Sequence, residues 1–157
     1  MASARFQSED PAGAVSWSSL LLRSVGGLLI VSVHGCHKAA GGWTLLRRDT
    51  PWPLVEEVAA MHLPAPLVFA WVATLIQVVC GALIVVGWRT RLNACLLAAT
   101  MGVAIVQNLT TGSSPELAML YAAILATVAM IGGGRYSIDA RIALRKTAAF
   151  SGFEEPT

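Results

Sequence analysis

The stretch Leu67 to Leu92, LVFAWVATLIQVVCGALIVVGWRTRL, decides the fold. From Leu67 to Trp88 it holds no charged residue and a single amide, Gln77, enough apolar chain for a bilayer core that needs roughly 20 residues per helix. Arg89-Thr90-Arg91 leaves room only for a tight return, and Leu92 to Leu109 is apolar again. The two spans form an antiparallel hairpin.

Outward from this hairpin, two further blocks share its character. One runs from about Leu20 to His37; the other runs from Leu117 to about Ile131 and reaches span length by taking in Glu116 and the glycines Gly132 to Gly134. The expected fold is all-α, an integral membrane four-helix bundle forming one domain over 1–157. Its spans fall at about 20–37, 67–88, 92–109 and 116–133, after a flexible N-terminus (1–17) and before a cytoplasmic tail (135–157). Composition agrees: of 157 residues 55% are hydrophobic and 13% charged, with a mean hydropathy of +0.65, against about a quarter charged in soluble domains. An ordinary water-soluble enzyme is excluded. A net charge of +2 without basic runs among aromatics excludes nucleic acid, and Cys36, Cys80 and Cys95, far apart and without a CxxC, write neither a disulfide framework nor a thiolate metal site.

The long connection Lys38 to Pro66 is broken by Pro51, Pro53, Pro64 and Pro66. Between them Leu54, Val55, Val58 and Met61 recur at helical spacing opposite Glu56 and Glu57, which predicts a short amphipathic helix lying at the membrane surface between helices 1 and 2. Lys and Arg near the span ends set orientation. Arg5, Arg23, Arg89, Arg91, Arg135, Arg141, Arg145 and Lys146 stand on one side and Lys38, Arg47 and Arg48 on the other, which puts both termini in the cytoplasm of a bacterial inner-membrane protein. Cleavage of the first block as a signal is disfavoured, because Glu9 and Asp10 precede it, Arg23 interrupts it and a bulky His34 precedes Gly35. Arg23, near a span end, is expected to reach the interface.

Helices in lipid associate through close packing. Small residues offer it at Ala94, Ala98 and Gly102, at Ala118, Ala122 and Ala126, and at Gly27, Gly35 and Gly81. After the last span the three glycines supply a helix stop, and Ser137 is the expected N-cap of a short helix carrying Arg141, Arg145 and Lys146.

Polar groups inside a membrane are costly and mark candidate sites. His34, His37 and Lys38 share one helical face at the outer end of the first span, Gln77 sits mid-span, Gln107 and Asn108 close the third span and Glu116 opens the fourth. In a bundle these groups gather below the surface helix, and His34, His37, Lys38, Gln77, Asn108 and Glu116 are the candidate quinone- or lipid-binding residues. Haem is disfavoured: a bis-His site needs two helices at one depth, while His34 and His37 share a helix and His62 lies on the surface segment. No catalytic residue is assigned, and no spacing supports a metal site.

Three motifs carry a resemblance. His34-Gly35-Cys36-His37-Lys38, the run CGALIVVGWRTRL from Cys80, and Gly134-Arg135-Tyr136-Ser137-Ile138-Asp139 together resemble the HGxxK, hairpin and G-R-Y-S-L-D motifs of the DoxX family of small four-helix bacterial membrane proteins. Two positions depart from it: many members carry Glu where Gln77 stands and a His near Asn108. The resemblance implies a link to respiratory or redox systems, since the family includes the quinone-reducing membrane part of a thiosulfate oxidoreductase.

The expected function is therefore a membrane subunit of a respiratory or redox assembly, without independent enzymatic activity and with no covalent cofactor. Its expected partners are the lipid bilayer, membrane or periplasmic redox subunits, and further copies of itself. The alternative is a non-catalytic anchor or scaffold, with Trp43 and Trp52 as partner contacts. A transporter is disfavoured by the lack of a charged midplane residue or broken helices.

Overall fold

The computed structural model describes residues 11–151. The first ten residues, with Arg5 and the start of the expected flexible segment, and the last six of the tail lie outside the described residues. Within them the chain is helical, with no strand.

Helix α1 (Pro11–Leu29) passes through a π-helical segment, Ile30–Gly35, into α2 (Cys36–Arg48) without interruption. This is the main departure from the sequence expectation. The helix begins at Pro11, inside the segment expected to be flexible, and does not stop at His37. Hydropathy falls at Lys38, but nothing breaks the backbone before Asp49, whose left-handed φ of 50° closes α2 with its amide on the Leu45 carbonyl at 3.1 Å; Asp tolerates that conformation better than most residues. The resulting rod, Gly13–Arg48, is 36 residues long.

A proline at the first position starts both α3 (Pro53–Ala60) and α4 (Pro66–Leu75), where a missing N–H costs nothing. Helix α4 continues through a second π segment, Ile76–Cys80, into α5 (Gly81–Val86). Gly87, at φ +76°, ends it, and α6 (Thr90–Thr111) returns antiparallel. Then follow α7 (Glu116–Ile131) and α8 (Ile138–Ser151). Ser137 Oγ accepts the Ala140 amide at 3.1 Å, the N-cap expected of it.

Among the described residues three helices are long and apolar enough to cross a membrane: Gly13–Arg48, Pro66–Val86 and Thr90–Thr111. Helix α7, at 16 residues, is apolar but shorter. The outer surface of these helices is apolar, with Leu21, Val25, Leu28, Val68, Leu96, Val103, Leu120 and Met130 exposed; hydrocarbon is the solvent that such a surface fits. Ile30, Ile84, Leu97, Met101, Tyr121, Leu125 and Val128 fill the interior. Helices α1 and α5 meet at Gly27 and Gly81, where a Cβ on Gly27 would lie 3.0 Å from the Gly81 carbonyl. Of the small residues on α6 and α7, Ala94 and Ala118 are buried, whereas Gly102 has nothing within 4 Å of a built Cβ and Ala126 is exposed.

A second cluster lies at the far end of the rod. Trp52, Leu54, Val58 and Ala70 are buried together, with Trp52 seated against Gly41 and Gly42 and edge-on to Trp71 at 5.0 Å. Trp52 is thus a core residue that ties α3 to α2 and α4, not the exposed contact expected. Trp43 is exposed on α2 with the Arg47 guanidinium 4.5 Å from its ring centroid.

Candidate functional site

The two π segments pack against each other. A π turn carries one residue more than an α turn and recurs at functional sites; here one holds His34 and the other Gln77. Both side chains open on a cavity of about 190 Å³, lined also by Lys38, Glu57, Met101, Gln107, Asn108 and Tyr121.

Its polar chemistry is incomplete in a specific way. His34 stacks edge-on to Tyr121, with centroids 5.3 Å apart, and its Nε2 is buried without a hydrogen-bond partner. Gln77 is 2% exposed and its Oε1 is likewise unpartnered. By contrast Gln107 Nε2 donates to Glu57 Oε2 at 2.7 Å, and Asn108 Nδ2 donates to the Ser114 carbonyl at 3.3 Å. His34 and Gln77 thus both line the cavity while one polar atom of each stays buried without a partner, and the Lys38 ammonium lies in electrostatic reach of Glu57.

Of the six residues singled out from sequence, His34, Lys38, Gln77 and Asn108 come together. His37 is exposed and lines a neighbouring cavity of about 400 Å³ with Lys38, Trp52 and Glu57. Glu116 is exposed at the start of α7 and does not line the cavity. Gln107, placed by the sequence beside Asn108 at the end of the third span, also lines the cavity; Glu57 and Tyr121 are not foreseen. Glu57 reads locally as the solvent face of an amphipathic helix, and only the packing of α3 brings it over the cavity. Among the described residues no three His, Cys, Asp or Glu side chains gather as a metal site.

At the opposite end Arg23 overturns its expected reach to the interface. It is 1% exposed and donates through Nη1 to the Val85 carbonyl at 3.2 Å and the Ile84 carbonyl at 3.5 Å, and through Nη2 to the Tyr136 carbonyl. Beside it Asp139 accepts the amides of Arg89 (2.7 Å) and Thr90 (2.9 Å) and the Thr90 hydroxyl (2.8 Å). Asp139 thus caps the N-terminus of α6 from α8. Arg89 holds φ 45° to present its amide. Burial pushes the Asp139 carboxyl up, but the Thr90 and Arg89 hydrogen bonds and the Arg23 charge outweigh it, so it titrates below the usual carboxylate range.

Long apolar helices around a small polar cavity, tied at one end by a buried arginine, define a multi-pass membrane protein. The DoxX family model matches residues 18–133, most of the chain, and the chain belongs to the DoxX family. The match takes in the His34–Lys38 and hairpin motifs and ends before the Gly134–Asp139 motif. No curated protein and no solved structure matches the chain.

Proposed function

We propose that this DoxX-family protein is a membrane subunit of a respiratory or redox assembly, and that its cavity receives the polar ring of a quinone. The observation that carries this is the pair of buried, unpartnered atoms, His34 Nε2 and Gln77 Oε1, on two residues that line one cavity. An unsatisfied buried polar atom costs about 1–3 kcal/mol, and a ligand bearing both carbonyl and hydroxyl chemistry removes that cost. Nε2–H donates to a quinone carbonyl; Gln77 Oε1 accepts from a quinol hydroxyl. The two groups together meet both redox forms.

At about 190 Å³ the space suits a ring rather than a whole drug-sized molecule, for which pockets run from about 300 Å³ upward; an isoprenoid tail belongs in the bilayer. A phospholipid head fits less well, since Glu57 stands beside the cavity's lone cation, Lys38. Electrons come from cofactors in a partner subunit.

The topology that goes with this reading has four crossings, with α7, about 24 Å long at 1.5 Å per residue, as the shortest. Helix α3 lies at the outer surface, and both termini are in the cytoplasm, on the side of Arg89, Arg91, Arg135, Arg141, Arg145 and Lys146. A second reading, an anchor that stabilises a larger membrane complex, draws on exposed Trp43 under Arg47 at the end of the rod.

The test is quinone content of the full-length protein purified in mild detergent from its native membrane. Wild type is expected to retain quinone in near-stoichiometric amount and His34→Ala to retain at least about tenfold less, the worth of one good hydrogen bond to the ring, at unchanged thermal stability. Folded wild-type protein without quinone sinks the reading. Partners that stay bound through His34→Ala then favour the anchor.

A further inference from the structure

The quinone reading leaves two of the three motifs without a task, and both line one cleft. Arg89, Thr90 and Arg91 of the hairpin and Gly132 to Asp139 after α7 surround a cleft of about 700 Å³ at the end of the helices opposite His34. Three guanidiniums stand on it: Arg89, Arg91 and Arg135, all exposed. Arg91 Nη2 meets the Met130 carbonyl at 3.4 Å and Arg89 lies 5.8 Å from the Trp88 ring centroid. Among the described residues none of the three pairs with a carboxylate. The cleft's single acid, Asp139, is already committed to the Thr90 and Arg89 amides and the Thr90 hydroxyl. What remains is a cationic rim over a floor of glycine backbone.

The walls name the ligand. On one side the cleft runs onto Leu92 and Ile131, both exposed, which a free anion has no use for. Trp17 and Tyr136, 4.7 Å apart between centroids, and Trp88 are exposed at the same end. Such rings settle at the headgroup level of a bilayer. Guanidinium pairs bind phosphate oxygens bidentately, and basic pockets at span ends hold anionic lipid heads. We infer that the cleft formed by Arg89, Arg91, Arg135 and the Gly132–Gly134 turn binds the phosphodiester headgroup of an anionic phospholipid, whose acyl chains leave along Leu92 and Ile131.

The experiment places the full-length protein in phosphatidylcholine nanodiscs doped with phosphatidylglycerol and counts retained lipid after gentle release into native mass spectrometry. Wild type is expected to keep phosphatidylglycerol in preference to phosphatidylcholine. Each arginine is worth about fivefold, so Arg89→Gln/Arg91→Gln/Arg135→Gln loses about a hundredfold of that preference, while Arg141→Gln/Arg145→Gln on α8 keeps it. Equal retention by wild type and the triple variant overturns the inference. So does inorganic phosphate that stabilises delipidated protein as well as phosphatidylglycerol does, which assigns the cleft to soluble anions. Should the triple variant not fold, Arg135→Gln alone decides: a fivefold loss supports the site, and no change overturns it.

Discussion

The two ends of this molecule bury polar side chains to opposite effect. At one end the Arg23 side chain is matched to the carbonyls of Ile84, Val85 and Tyr136, and the Asp139 carboxylate to the amides of Arg89 and Thr90 and the Thr90 hydroxyl. Arg23 Nε is the one atom there left over. At the other, His34 and Gln77 each keep one buried atom without a partner, while Gln107, Glu57 and Asn108 around the same cavity are hydrogen-bonded. Matched polar groups fix a fold and unmatched ones wait for something else. One end is a fastening; the other, on the quinone reading, is a receptacle.

The largest effect separating them is expected at Arg23. Arg23→Met removes a buried cation from beside Asp139 and frees three carbonyls, and should cost about 3 kcal/mol or more. Thermal unfolding followed by fluorescence-detected size exclusion reads it, and a variant as stable as wild type breaks the comparison at once. Asp139→Asn should cost less, about 1 kcal/mol, as a weakened cap on α6, and it carries a pH signature. A carboxyl that titrates below its unfolded value contributes stability above that unfolded value and loses it as pH falls through the folded one. Wild type should therefore lose thermal stability between about pH 5 and pH 3 more steeply than Asp139→Asn; parallel curves would show that the carboxylate carries no such weight. The last effect is no larger and has the opposite sign. Gln77→Leu removes an unpartnered amide and should raise stability by about 1 kcal/mol while lowering quinone retention. A loss of stability there would mean that the cavity is held together as the Arg23 end is.

Much of this was legible in the sequence, and the gaps have physical causes. The hairpin spans, expected at 67–88 and 92–109, are helices at Pro66–Val86 and Thr90–Thr111, because apolar length and a three-residue return leave few alternatives. The amphipathic segment around Leu54 and Val58 is a helix for the same reason that Pro53 begins it. The first helix was cut short at His37 because hydropathy reports where a chain leaves lipid, not where its backbone stops being helical. Arg23 was misread because a residue near a span end has the same sequence neighbourhood whether its side chain turns to headgroups or to the next loop's carbonyls. The cavity was half legible: a polar residue in an apolar span announces itself, as His34 and Gln77 did, but Glu57 and Tyr121 arrive through packing that no local spacing encodes.

The unbroken rod has a mechanical consequence. At 1.5 Å per residue, Gly13–Arg48 with its 36 residues measures about 54 Å, well beyond a hydrocarbon core of about 30 Å. From His34 to Arg48 there is no loop to absorb motion, and the π turn at Ile30–Gly35 is the kind of irregularity at which helices bend. Beyond that turn the rod is not free: Trp52, seated on Gly41 and Gly42, holds its outer half to α3 and α4. A bend at that turn therefore cannot move the imidazole alone, because α3, which brings Glu57 to the same cavity, is fastened to the rod above it.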